Sequence, residues 1–464
     1  MFTILLIIFL LSILFILISK YTYFDDRKIP GLRPQLFYGN LLQTGIANKK
    51  DSLANALAKF QQNYGDVFQF YNFSTRLLVF NTIEAVQEIY KNATTTLPRS
   101  LLGIRNDEWK RHARIIEPLV KRSALTQYFD QILRSTDQLI DTWTSQTKAN
   151  QLQTNVINQC QQLLLKIMLT ISYGEENNEY LMNVVNKCNQ WSSWSIFNGL
   201  NVRLIHLYVK YINRDYQHAR QQIRNLINGS RNNNERSNTL LQSLIRSPLS
   251  SDELLDEILM INIGVDDVST ALSWFIHYMT KYPNIQEKLQ LEIRQHPEHL
   301  TNDLIDQLQY IDLVIKEILR HSAISDISIR TIVSHENNGL NINGIQLHSG
   351  DSIAIAASNL HHDRRYWKID PSLFYPERFL ENDKDHSPYA YLPFGIGHYR
   401  SCPGKYLALY QLKIICVRLM QRVTFIDGDS QDTNTSVRTK GGGFVGLTDL
   451  AVYIKLDERN QDHE

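Results

Sequence analysis

Residues 393–404 read PFGIGHYRSCPG and run directly into residues 405–421, KYLALYQLKIICVRLMQ. In the second stretch apolar side chains recur at helical spacing, which predicts a helix through about Gln421. Pro403 suits the first helical position, where a missing N–H costs nothing, and this puts Cys402 at the helix N-terminus. Unpaired amides and the positive end of the helix dipole favour an anion there, so a thiolate is expected in preference to a thiol. The glycines before the cysteine let backbone amides turn close to sulfur, and Arg400 supplies a fixed cation for a carboxylate. A lone intracellular cysteine is ordinarily a packed core residue. The whole loop instead describes a site for a soft metal.

The rest of the 464-residue chain narrows the class. Lys and Arg number 48 against 47 Asp and Glu, a formal charge of +1, so no basic footprint for nucleic acid is expected. Hydrophobic residues at 43% and aromatics at 10% supply a sizeable packed core and exclude a disordered chain. Cys160, Cys188, Cys402 and Cys416 form no CxxC pair, which removes zinc-finger and disulfide-scaffold readings.

From Phe2 to Ser19 the chain carries no charge. As a helix this run spans roughly 27 Å, close to a bilayer core of about 30 Å, so residues 1–20 read as a single-pass anchor. A cleaved signal peptide fits less well, because no positive n-region precedes the run and no small-residue cleavage site follows it. Lys20, Arg27 and Lys28 follow it, and the positive-inside rule then places the body in the cytosol. Residues 29–34, IPGLRP, close a stiff hinge over 21–34. Residues 35–464 form the body, with no internal repeat.

Within the body, Val67 to Phe73 and Arg76 to Phe80 predict a hairpin, and Asn81 with Glu84 predicts a capping box opening a helix through about Lys91. Helical periodicity dominates Ser123 to Ile227, with breaks near Gly174 and Gly199, and residues 228–238 (NGSRNNNERSN) read as a surface loop. A long helix is expected from Ser251 to Pro283, a shorter one to about Gln295, and another over Asn302 to His321. Strands are expected at Ile327 to Val333, Ser352 to Ala356, Val423 to Ile426 and Leu450 to Leu456, with Gly441 to Leu447 as a hairpin tip. The fold class is mainly α with a small β region.

Two charged constellations lie on the predicted helices. Glu317 and Arg320, three apart, face one way and can pair, although an isolated pair of this kind is ordinarily a weak surface contact. In Ile263 to Thr270, Gly264 permits close approach to the helix backbone, and Asp266 beside Asp267 is an acid pair whose pKa rises if buried.

Taken together these motifs resemble the cytochrome P-450 superfamily of haem-thiolate proteins. Its haem loop reads Phe-x-x-Gly-x-Arg-x-Cys-x-Gly. Arg400, Cys402 and Gly404 match from the cysteine side, while Phe394 and Gly397 each lie one residue farther back. The superfamily's Glu-x-x-Arg helix corresponds to Glu317 and Arg320, the arginine after it to Arg330, and its Pro-Glu-Arg-Phe to Pro376, Glu377, Arg378 and Phe379. His362, Asp363 and Trp367 fit the pattern between these landmarks. Trp109 matches the Trp-x-x-x-Arg helix, but the position four later is Ala113, flanked by His112 and Arg114. The segment from Pro98 to Trp109 is shorter than the superfamily usually has there. In the long helix, Gly264 and Asp266 match Ala-Gly-x-Asp/Glu-Thr-Thr, whereas the two threonine positions are Asp267 and Val268.

The resemblance implies a cytochrome P-450 fold behind one transmembrane helix, with heme b (iron protoporphyrin IX) on Cys402 as the metal ligand. It further implies haem contacts from Arg400, Arg330, Trp109, Phe394 and Gly397, and a buried ion network of Glu317, Arg320 and Arg378. Asp266 and Asp267 become the catalytic candidates, with oxygen activation altered because an acid replaces the usual alcohol. The implied activity is monooxygenation of a lipophilic small molecule with O2 and with electrons from NADPH through a cytochrome reductase. The implied location is the endoplasmic reticulum membrane, with the catalytic domain cytosolic. Two alternatives keep the haem: a peroxide-rearranging isomerase or dehydratase of the same fold, and a catalytically impaired membrane-tethered haem or lipid binding protein.

Overall fold

The computed structural model describes residues 7–14, 29–35, 38–46, 51–72, 75–92, 106–145, 152–153, 155–175, 178–197, 214–233, 239–332, 340–396, 401–427, 437–440, 444–447 and 450–456. Helices make up most of them, and five helices position the site: α1 (Asn106–Leu119), α2 (Val156–Tyr173), α3 (Ser251–Lys281), α4 (Tyr310–His321) and α5 (Lys405–Arg422).

α3 is the central beam. Ser250 and Glu253 close a full capping box at its start, and Pro283 opens the following helix, Pro283–Arg294, after Tyr282 ends it. Its 31 residues extend about 46 Å, and apolar side chains from Leu254 to Met279 are buried around it. By length and composition α3 could cross a membrane, but 72% of its most apolar window lies inside the protein, which makes it a core helix. Residues 7–14 are also helical, with apolar side chains exposed from Ile7 to Leu14. The rest of the Phe2 to Ser19 run lies outside the described residues.

α2 packs along α3 and ends at Gly174, whose φ of 79° is left-handed and whose N–H bonds to the Thr170 carbonyl at 2.9 Å. α5 joins both in one large hydrophobic cluster through Leu407, Ile414, Val417 and Met420. A second layer is the sheet of β1 (Val67–Asn72), β2 (Thr75–Phe80), β3 (Ile327–Thr331) and β4 (Ser352–Ala356), in the order β1, β2, β4, β3. β1 and β2 form the expected hairpin, Val67 opposite Phe80. β2 and β4 run parallel, Leu77 opposite Ser352, while β3 and β4 are antiparallel, Arg330 opposite Ile353. The parallel pair ties the amino-terminal hairpin to strands that follow α4.

Several local expectations change. Asn81 does not cap the helix Ile83–Asn92: it accepts from Asn359 Nδ2 at 2.8 Å and donates to the Asp66 carbonyl, while Thr82 Oγ1 accepts from the Ala85 N–H at 3.3 Å. The run from Asn302 to His321 is two helices, Asn302–Gln307 and α4, parted by extended Leu308. Glu292 Oε1 accepts from the Gln309 and Tyr310 amides at 2.8 Å each, so a neighbouring helix caps α4. The helix Arg214–Asn233 also continues through much of the segment read as a loop. Arg231 Nη1 donates to Ser251 Oγ at 2.5 Å, a tertiary contact that outweighs the poor helix propensity of the Asn-rich stretch.

Candidate functional site

Cys402 sits two residues before α5, with Pro403 and Gly404 forming a turn between them, so the helix begins later than its sequence suggests. The amides of Gly404 and Lys405 nevertheless bond to the sulfur. Backbone contacts fix the turn: Cys402 N–H donates to the Phe394 carbonyl at 2.8 Å, and Lys405 N–H donates to the Cys402 carbonyl at 3.3 Å. Lys405 Nζ lies 6.0 Å from the centre of the Phe394 ring. Gly397 and Arg400 lie outside the described residues.

The surroundings act on the sulfur in both directions. Burial pushes the Cys402 thiol up to about 11, more than the two amides and Lys405 pull it down. A metal on this sulfur would favour the anion, because a coordinating thiol is deprotonated outright. Cys402 keeps exposed surface although it lies deep in the protein, so the sulfur faces a hollow and not packed protein.

α3 borders the same hollow. The charge of Asp267 is among the influences that raise the Cys402 thiol. Burial first, and Asp266 second, push Asp267 up to about 7. Gly264, three residues earlier on that helix face, has nothing within 4 Å of where a Cβ would stand. Asp266 is held by Gln161 Nε2 from α2 at 2.9 Å, a partner that no sequence motif indicated. Ser269 and Thr270 turn their hydroxyls onto the Asp266 carbonyl at 3.1 and 2.7 Å, which engages both.

Arg330, on β3, is 7% exposed. Its Nη1 donates to the Ile329 carbonyl at 2.8 Å and its guanidinium covers the Tyr90 ring at 5.1 Å, but among the described residues Nε has no hydrogen-bond partner. Burial pulls its pKa below the usual arginine value. Such a cation calls for an anionic partner. Sulfur, open hollow and orphaned guanidinium therefore fit an iron porphyrin with carboxylate side chains. Trp109 is half-buried against the main core on α1, with Ala113 and His112 buried after it and Arg114 exposed.

Glu317, Arg320 and Arg378 come together with none of the three exposed, which excludes a solvated surface pair. Arg320 grips Glu317 through Nε and Nη2 at 2.8 and 2.9 Å, and Arg378 Nε reaches Glu317 Oε1 at 3.0 Å. Asp383, which no motif singled out, takes the other side of Arg378 at 3.0 Å. Trp367 lies beside both guanidiniums, 5.2 and 5.8 Å from its ring centre, and donates to the Leu360 carbonyl. His362 bonds to the Ser358 carbonyl and Asp363 pairs with Arg365. His361 carries the network toward the cysteine loop. Its backbone carbonyl accepts from Arg320, its Nδ1 meets the Arg320 carbonyl, and its Nε2 accepts from the Leu392 N–H at 2.8 Å. Burial holds His361 down at about 3, so the imidazole stays neutral and keeps that acceptor.

Residues 444–447, expected within a hairpin tip, are instead a strand, Phe444–Leu447, that pairs antiparallel with Val437–Lys440, with Leu447 buried in the large helical cluster; residues 441–443 lie outside the described residues.

Comparison with known proteins places this geometry. The sequence profile of the Cytochrome P450 family matches residues 29–451. Mouse cytochrome P450 3A11 is 25% identical over 459 residues, which covers 88% of this chain and 87% of that protein. Human cytochrome P450 3A7 is 32% identical over 218 residues, 46% of this chain and 42% of the relative. Human cytochrome P450 3A5 is 29% identical over 281 residues, 57% of this chain and 53% of the relative. The alignments to the two human relatives thus span about half of their lengths.

Proposed function

The chain belongs to the cytochrome P450 family, whose cofactor is haem, and from that premise we propose that it is a monooxygenase that places one atom of O2 in a lipophilic small molecule. The observation that carries this reading is the exposed Cys402 sulfur with the Asp267 carboxyl close enough for its charge to act on it. Cys402 would hold the haem iron through its sulfur, and the bound haem would supply oxygen activation. Arg330 and Trp109 would hold its carboxylate side, and the Glu317, Arg320 and Arg378 network would keep the cysteine loop in register through His361 and Leu392. Electrons come from outside the chain, since no flavin or nicotinamide motif is present in its sequence, and a membrane-bound NADPH reductase is the fitting donor. The exposed apolar side chains at residues 7–14, within the charge-free Phe2 to Ser19 run, support anchoring at the endoplasmic reticulum.

In this reading Asp267 holds and passes the proton at its carboxyl, kept high by burial first and by Asp266, fixed by Gln161, second. A group titrating at about 7 is half protonated at neutral pH and suits proton transfer. Asp267→Asn is expected to lower reductase-supported turnover about 100-fold or more, the low end of what general acid–base groups contribute, and to raise hydrogen peroxide release. The pH profile gives the sign. Parent turnover falls as pH rises through about 7, because the donor form is lost, and the asparagine variant loses that limb. Equal turnover and equal peroxide release in both proteins would remove Asp267 from the mechanism.

The whole reading is tested by purifying the haem-loaded protein with an NADPH reductase and a panel of lipophilic substrates under labelled O2. One labelled atom per product, dependent on NADPH, is the expected result. Conversion of organic peroxides with no need for NADPH would instead favour the isomerase reading, to which Asp267 and Val268 at the usual alcohol positions lend support.

A further inference from the structure

At its start, α3 meets α1 through four ionisable side chains. Glu108 and His112 are four apart on α1, and Glu253 and Glu257 are four apart on α3, so each helix presents its pair on one face. One ligand atom each from Glu108, His112 and Glu253 lie within 4.8 Å of one another. His112 is wholly buried, with Nδ1 2.7 Å from Glu257 Oε1 and Nε2 3.0 Å from Arg111 Nη2. A guanidinium only donates, so Nε2 is the acceptor and Nδ1–H donates to Glu257. Nε2, engaged by Arg111, faces the cluster with a carboxylate behind the ring, as metal-bound histidines are held.

Glu253 divides its oxygens. Oε2 accepts from the Ser250 N–H at 2.7 Å, whereas Oε1 lies 3.4 Å from His112 Nε2 and pairs with Arg111. Three carboxylates thus surround one imidazole and one guanidinium. The Arg111 side chain is 40% exposed and has solvent to swing into.

We propose that Glu108, His112 and Glu253 form a binding site for a divalent metal ion, zinc foremost, with Glu257 orienting His112 and Arg111 as the cation that the metal displaces. One imidazole with two carboxylates suits zinc and argues against magnesium or calcium, which prefer all-oxygen sites. A bound ion would clamp α1, which carries Trp109, to α3, which carries Asp266 and Asp267. The proposal rests on this cluster and does not depend on the monooxygenase reading.

The test is zinc titration of the haem-loaded, chelator-dialysed protein, followed by zinc-edge X-ray absorption. Haem loading keeps Cys402 engaged. One saturating zinc per chain is expected, with nitrogen and oxygen neighbours at about 2.0–2.2 Å and none of the sulfur distance near 2.3 Å. Glu108→Gln, at an exposed position, is expected to weaken binding about tenfold or more. Arg111→Ala is expected to tighten it, because the competing cation is gone. Absence of saturable binding, sulfur in the zinc shell, or an affinity that neither variant changes would overturn the proposal.

Discussion

Cys402→Ser is expected to abolish the red-shifted Soret band that a thiolate gives to carbon monoxide-bound reduced haem, and with it all reductase-supported product. Burial raises the Cys402 thiol, while two backbone amides and Lys405 pull it down. A haem iron held by this sulfur would favour the anion. A serine hydroxyl in the same turn is a far weaker donor and would not supply the thiolate character that the band reports. Absorption spectra of the reduced, carbon monoxide-treated variant and parent decide the matter. The parent spectrum reports the ligand whatever the substrate is, so it does not depend on finding one. An unchanged band in the serine variant would mean that another group holds the iron.

Glu317→Ala is expected to destabilise the protein by about 3–5 kcal/mol, the range for removing one partner of a buried ion pair. Glu317 accepts from both Arg320 and Arg378 and also from the Tyr375 N–H at 2.9 Å. Its loss leaves two guanidiniums buried with only Asp383 and backbone carbonyls as partners. The damage should reach the cysteine loop, because Arg320 positions His361 and His361 holds the Leu392 amide. Haem retention should therefore fall together with the unfolding midpoint. Chemical denaturation and haem transfer to an acceptor protein measure the two effects. A midpoint drop with normal haem retention would show that the network supports the fold without supporting the loop. Glu317→Asp, which keeps the charge on a shorter arm, is expected to recover part of both.

Helix periodicity, turn residues and the local motifs were enough to read a mainly helical fold with a small sheet, a hairpin at Val67 to Phe80, the long helix from Ser251 and the cysteine ahead of α5. These features follow from patterns within a few turns of chain, where spacing alone determines which side chains share a face. Caps and ends were less legible. Whether Asn81 or Thr82 closes a helix depends on Asp66 and Asn359, far away in sequence. The break after Gln307 depends on Glu292, and the persistence of the helix to Asn233 depends on Ser251.

The sequence by itself singled out the candidate residues: Cys402, the acid pair at Asp266 and Asp267, and Glu317 with its arginines. Only the tertiary structure decided their electrostatic states, because desolvation is a property of the packed surroundings and not of neighbours along the chain. It made Glu317 a wholly buried hub, left Arg330 Nε without a partner among the described residues, and brought Asp267 within electrostatic reach of the sulfur. It also set His112 of α1 against Glu253 and Glu257 of α3, a meeting of two helices that lie well over a hundred residues apart in sequence.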